Sequence, residues 1–169
     1  IGDNNRAAVV PMRGKSKSGI VVKGIHDLAV RFSKCCNPVP GDEIVGFVTR
    51  GRGVTIHRTD CINVLNLPEM ERNRLIDAEW QAEEDEKGTA TYATEISIYA
   101  NNRIGMYVDI ARIFTEREID VTNMNARTNK QGKATITMSF DIHGTEELNT
   151  LMAKIRQIDG VLDIERTTG

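Results

Sequence analysis

The sequence predicts an α+β chain of two modules, a small and mostly-β cysteine-bearing domain followed by a ferredoxin-like domain of order β-α-β-β-α-β. Three observations carry that expectation. Short apolar runs punctuated by Gly, Pro and Asp fill residues 20–80, as short strands and tight turns require. Residues 81–90 contain Glu83-Glu84-Asp85-Glu86 and Gly88 with almost no apolar content, the composition of a solvated interdomain linker. Over 91–169, blocks of two-residue period and blocks of helical period alternate.

Residues 1–19 mix Gly, Ser, Lys and Asn around the apolar run Ala7 to Val10 without a period, and read as a linker from something upstream. Strands are then expected at Ile20-Val21-Val22, at Leu28-Ala29-Val30 with Phe32, at Ile44 to Val48 and at Val54-Thr55-Ile56. Between the second and third lies Ser33-Lys34-Cys35-Cys36-Asn37-Pro38-Val39-Pro40-Gly41-Asp42, where two prolines and a glycine impose a rigid loop. A short helical stretch is expected from Cys61 to Leu67 and again after Pro68, before the strand Leu75 to Trp80.

In the second module Ile96, Ile98 and Ala100 alternate with Glu95, Ser97 and Tyr99, the pattern of a half-buried strand. Met106, Ile110, Ile113 and Phe114 follow the stripe of an amphipathic helix. A strand from Ile119 to Thr128 leads to the turn Asn129-Lys130-Gln131-Gly132, and the next strand sets Ala134, Ile136, Met138, Phe140 and Ile142 on one face. Thr145 is a natural N-cap, with Glu146 and Glu147 in the first turn and Leu148, Leu151, Met152 and Ile155 as the apolar stripe. Gly160 ends that helix, and Val161 to Arg166 is the last strand.

At 169 residues and 40% apolar content, the chain is long enough for two small cores. No run approaches the roughly 18 apolar residues of a membrane helix, and the N-terminus lacks a signal peptide's apolar core, so a soluble cytoplasmic protein is expected. Three cysteines, two of them adjacent, fit a reducing compartment. The net charge of −2 conceals an asymmetry: residues 1–58 hold ten Lys or Arg and four Asp or Glu, about +6, and the remainder holds twelve against twenty, about −8. Such a division points to a polyanion-facing surface on the first module alone.

Cys35, Cys36, His57 and Cys61 supply the three thiols and one imidazole that a tetrahedral Zn²⁺ prefers, with His57 and Cys61 four residues apart as in many finger sites. Two adjacent cysteines reach one ion only if the backbone turns sharply, which Asn37-Pro38 would allow. The same residues are equally read as small packing residues in a tight loop beside a strand histidine. A catalytic Cys-His pair lacks an acidic orienter and an anion-stabilising loop. His26-Asp27 follows Gly24-Ile25 at a turn without partners and is set aside as half of a hydrolase motif. Arg13, Lys15, Lys17 and Lys23, with Thr49-Arg50-Gly51-Arg52-Gly53, suit phosphate contacts to structured RNA, though an Arg-Gly turn is also an ordinary hairpin tip. Asn101-Asn102-Arg103-Ile104-Gly105-Met106 opens a helix whose amides favour a carboxylate, and is also a plain βα turn. No P-loop, paired-carboxylate cleft or HExxH helix occurs in the sequence, so little supports a self-contained enzyme.

Cys35-Cys36-Asn37-Pro38-Val39-Pro40-Gly41-Asp42 followed by Gly53-Val54-Thr55-Ile56-His57-Arg58-Thr59-Asp60-Cys61 resembles the conserved-cysteine, or zinc-finger, domain of long RelA/SpoT enzymes. Asn102-Arg103-Ile104-Gly105-Met106 is similar to the Asp-Arg-Pro-Gly-Leu type loop of ACT domains, with Asn for Asp and Ile for Pro, changes expected to loosen it. The resemblance implies the regulatory part of a (p)ppGpp synthetase/hydrolase, a GTP pyrophosphokinase whose catalytic half lies elsewhere in the same polypeptide. It implies a cysteine, or zinc-finger, domain that docks on ribosomal RNA while uncharged tRNA occupies the ribosome; the basic residues Lys23, Arg50, Arg52 and Arg58 are the expected RNA contacts, with Zn²⁺ possible at the cysteines. It also implies an ACT domain that pairs as a homodimer and binds a branched-chain amino acid through Asn102, Arg103, Ile104, Gly105 and Met106, closed by Met124, Asn125 and Ala126. A stand-alone amino-acid-sensing ACT module without an RNA role is the alternative.

Overall fold

The computed structural model describes residues 20–22, 29–51, 53–81 and 90–167. Lys23, His26, Asp27, Leu28 and Arg52 lie outside them, as do residues 1–19 and most of the acidic stretch.

The first module is a five-stranded sheet in the order β1-β5-β3-β4-β2, built from β1 (Ile20–Val22), β2 (Val30–Phe32), β3 (Ile44–Thr49), β4 (Gly53–Arg58) and β5 (Leu75–Trp80). β3 and β4 form an antiparallel hairpin with Thr49 opposite Gly53, while β2 joins β4 in parallel. Val54 and Ile56 of β4 are buried with Ile20, Val22 and Ala78 as this module's core. A short helix α1 (Ile62–Leu65) and a 3₁₀ turn (Glu69–Arg74) connect β4 to β5.

The second module has the predicted order: β6 (Tyr92–Asn101), α2 (Met106–Glu116), β7 (Val121–Thr128), β8 (Lys133–Ile142), α3 (Thr145–Arg156) and β9 (Val161–Arg166). Its sheet runs β7-β8-β6-β9 and is antiparallel throughout. The alternation read from the sequence is the burial pattern observed: Ile96, Ile98, Ala100, Ile136, Met138, Phe140 and Ile142 are buried under Met106, Ile110, Phe114, Leu148, Leu151 and Ile155 of the two helices. Phe114 and Phe140 meet edge to face at 5.0 Å, a geometry worth about 0.5–1.5 kcal/mol beyond area burial. No described helix is long and apolar enough to cross a membrane.

Two local expectations are corrected. The strand expected from Ile119 begins at Val121, because Glu118 adopts a left-handed φ of 55° that closes α2. Thr145 is the first helical residue of α3, and Gly144 occupies the cap without a side-chain hydrogen bond. The reason is tertiary: the Thr145 N–H donates to the Pro40 carbonyl of the first module at 2.8 Å, so a distant backbone oxygen takes the place of a local cap.

The modules meet along the loop 33–42. Val39 is fully buried within the core cluster of the second module, and Asp42 accepts both terminal nitrogens of Arg166 at 2.7 and 3.0 Å. Phe32 and Trp80 stack at 5.7 Å, and Tyr92 of the second module lies edge-on to both.

Candidate metal centre

The cysteine pair owes its position to one tight turn. Ser33 N–H donates to the Ile56 carbonyl, fixing the loop to β4, and Asn37 N–H returns to the Ser33 carbonyl at 3.0 Å. Asn37 then takes a left-handed φ of 47°, which asparagine tolerates better than most residues, and Pro38 follows. This is the sharp turn that adjacent ligands require. β4 presents His57 beside it, and the chain leaving β4 places Cys61 at the start of α1.

The four ligand atoms lie within 4.8 Å of one another. Cys35 Sγ is 3.4 Å from Cys61 Sγ and 3.5 Å from His57 Nδ1, and Cys36 Sγ is 3.9 Å from the same nitrogen. A tetrahedral zinc with bonds near 2.3 Å to sulfur and 2.0 Å to nitrogen would set these edges at about 3.8 and 3.5 Å. The residues fit such an ion in number, softness and separation. Three sulfurs and an imidazole are a poor match for Mg²⁺ or Ca²⁺, which take oxygen.

Electrostatics point the same way. Burial pushes the Cys36 thiol up to about 12, and burial also raises Cys61, with the Cys35 sulfur adding to it. Burial pushes Cys35 up too, but hydrogen bonds from Ser33, Asn63 and Cys61 outweigh it and leave that thiol below its ordinary value. Burial lowers His57, keeping the imidazole neutral and its lone pair available. Cys36 and Cys61 hold their protons unless a cation replaces them. A supporting layer is present: Arg58 N–H donates to Cys36 Sγ at 3.3 Å and Ser33 Oγ lies 2.7 Å from Cys35 Sγ.

Of the residues expected to meet RNA, Arg50 is exposed at the tip of the β3–β4 hairpin, and Lys23 and Arg52 fall outside the described residues. Arg58 is 6% exposed and its guanidinium is taken up by the Cys36 carbonyl, the Thr167 carbonyl and Asp60, so it is not offered to a phosphate. Arg31 and Lys34 are exposed on the same module, basic positions not singled out from the sequence.

The loop before α2 holds the next group of expected residues. Gly105 has a φ of 83°, Met106 is buried, and Ile104 is fully exposed. Arg103 is engaged within the loop region, donating to the Asp159 carbonyl, the Ile104 carbonyl and Asp109. Met124, Asn125 and Ala126 lie on the edge strand β7, with β8 between them and the strand that feeds this loop. Met124 and Ala126 are level with Ile96 and Ile98, so within one chain the two groups are separated by two strand spacings across the sheet and by at least four residues along it, roughly 16 Å at the nearest.

Residues 20–81 match the RelA/SpoT RIS domain, and residues 88–166 match an ACT domain. The chain is similar to the GTP pyrophosphokinase of Escherichia coli K12, with 35% identity over 158 residues that cover 93% of this chain and 21% of that protein. It is similar to the GTP pyrophosphokinase of Streptomyces coelicolor, with 32% identity over 168 residues, 95% of this chain and 19% of that one. The chain thus spans about a fifth of the length of these curated relatives. Among solved structures, the ACT domain from the GTP pyrophosphokinase of Chlorobium tepidum aligns with a TM-score of 0.42 and 25% identity, covering 46% of this chain and 99% of that one.

Proposed function

We propose, from the premise that this chain belongs to the RelA/SpoT family in its RIS and ACT domains, that it is a non-catalytic regulatory unit. In this reading the RIS domain is stapled by zinc and docks on ribosomal RNA, and the ACT domain relays a signal to a catalytic half in the same polypeptide. The observation that carries the reading is the convergence of Cys35, Cys36, His57 and Cys61 on one point, on a loop whose far end is buried in the ACT core. A metal staple suits a small module whose described core is two small buried clusters, one of them made by Cys36, Cys61 and Val64, because metal binding energy becomes folding energy.

The RNA-facing surface is centred on the Arg50 hairpin tip with Arg31 and Lys34, all exposed. Phosphate contacts of this kind position a module without reading sequence. For the ACT domain, the exposed edge strand β7 offers unpaired backbone groups to a second copy. Pairing there would let Met124 to Ala126 of one copy approach the Asn102 to Met106 loop of another, making a branched-chain amino acid site that one chain does not assemble. Ligand-biased pairing would then shift a distant catalytic equilibrium. The cytoplasm is the compartment that suits both ribosome contact and reduced thiols.

Ribosome binding across a salt series tests the RNA arm. Affinity for 70S particles should fall steeply between 50 and 200 mM salt, in proportion to the number of phosphates contacted. Salt-independent binding, or none, leaves the ACT domain as a sensor without an RNA role. Turnover of GTP or (p)ppGpp by the isolated chain would overturn the non-catalytic assignment.

A further inference from the structure

The loop that delivers Cys35 and Cys36 to the candidate metal centre is also the loop that grips the ACT domain. The Cys36 carbonyl accepts from Arg58 Nη1 at 3.3 Å, and the same nitrogen donates to the Thr167 carbonyl at 3.1 Å. Arg58 N–H reaches Cys36 Sγ itself. The Asn37 carbonyl accepts from Arg166 Nη2 at 3.1 Å, and Asp42 holds the bidentate pair with that guanidinium. Val39 is buried in the ACT core, and Pro40 caps α3. Cys36 at the metal centre and Asn37, Val39, Pro40 and Asp42 at the ACT domain are therefore joined by one short stretch of backbone.

We infer that metal capture by Cys35, Cys36, His57 and Cys61 and the docking of the ACT domain onto the RIS domain are a single coupled equilibrium, with Arg58 and Arg166 as the positioning residues that join them. The inference rests on the metal reading above. Ordering couples the two events: the left-handed turn at Asn37 is held on one side by the cysteine pair that would bind the ion and on the other by Arg166. Whichever partner binds first fixes the turn, and the second binds to a loop already in place. Linkage makes the effect reciprocal, and couplings of this kind typically amount to about 5- to 150-fold in affinity.

Trp80 is the only tryptophan of the sequence and stands at the junction, its indole N–H donating to the Asp42 carbonyl at 3.0 Å and its ring edge-on to Tyr92. The test is zinc titration of the 169-residue chain against a chromophoric chelator, for the wild type, Asp42→Asn and Arg166→Ala. Trp80 emission and hydrogen exchange at the Thr145 amide are followed with and without zinc. Zinc should bind about tenfold more weakly to each variant, and chelation of the wild type should red-shift Trp80 and speed exchange at Thr145. Equal zinc affinity in all three proteins, with emission and exchange indifferent to zinc, overturns the coupling and leaves the metal site standing. A folded wild type that takes up no zinc overturns both. Should the variants fail to fold, zinc-dependent protection of Thr145 in the wild type decides alone, its absence being the refutation.

Discussion

Replacing Val39 with Ala should destabilise the ACT domain, although Val39 precedes that domain by some fifty residues and sits in the cysteine loop. Its side chain is 0% exposed within the cluster that includes Ile96, Phe140 and Ile142. The substitution removes two carbons, each worth about 0.8 kcal/mol of transfer free energy. The space they leave, roughly 40 Å³ at about 24 cal/mol per Å³, adds about 1 kcal/mol if the loop cannot collapse into it. Collapse is resisted, because Pro38 and Pro40 flank the residue and Asp42 accepts the Val39 N–H at 2.8 Å. The sum is about 2.5 kcal/mol. Urea unfolding followed by far-UV circular dichroism, with a slope of about 2 kcal/mol per molar, should show the midpoint falling by about 1 M. Hydrogen exchange should show the loss at β6, β8 and α3. A shift below about 0.3 M, or a loss confined to residues 44–80, would refute the assignment of Val39 to the second core.

Cys61→Ser should abolish stoichiometric zinc in protein purified without chelator, measured by mass spectrometry, and should lower the stability of the first module rather than remove an activity. Zinc affinity should rise with pH: the Cys36 and Cys61 thiols are raised above their ordinary values, so they hold protons near neutrality, and each bound ion should expel about two to three protons, measurable by calorimetry in buffers of different ionisation enthalpy. Gly41→Ala should cost about 1–3 kcal/mol in thermal or urea unfolding, since Gly41 has a φ of 101° and an added Cβ would collide with Thr145 Oγ1. Arg50→Ala should weaken ribosome binding and reduce its salt slope by about one, while leaving the unfolding midpoint unchanged.

Much of this architecture is legible in the residues because local periodicity and burial coincide. Ile96, Ile98 and Ala100 alternate because one face of β6 meets helices and the other does not, and Met106, Ile110 and Phe114 recur at helical spacing for the same reason. The metal candidates are legible because thiols and imidazole are scarce and chemically specific. What escapes is whatever depends on a distant partner. Arg58 resembles a surface arginine in a basic stretch, and only the carbonyl of Thr167, 109 residues on, shows why it is buried. Asp42 and Arg166 are 124 residues apart, and nothing local in either segment announces the other. The cap of α3 is invisible for the same reason, since its acceptor belongs to Pro40. The parallel pairing of β2 with β4 rests on three residues at a sheet edge, too few for a pattern.

The Asp42–Arg166 contact also sets a timetable for synthesis. At about 5–20 residues per second, the 124 residues between the two partners take on the order of ten seconds to translate. Through that interval the cysteine loop exists while the strand that secures it does not, leaving the Asp42 carboxylate without its arginine partner. A nascent chain in this state presents its thiols to whatever metal or oxidant the compartment supplies, and closing so long a loop brings little additional entropic cost beyond that of a shorter one. The contact that joins the cysteine loop to the ACT domain through Arg166 can therefore form only after β9 has been synthesised.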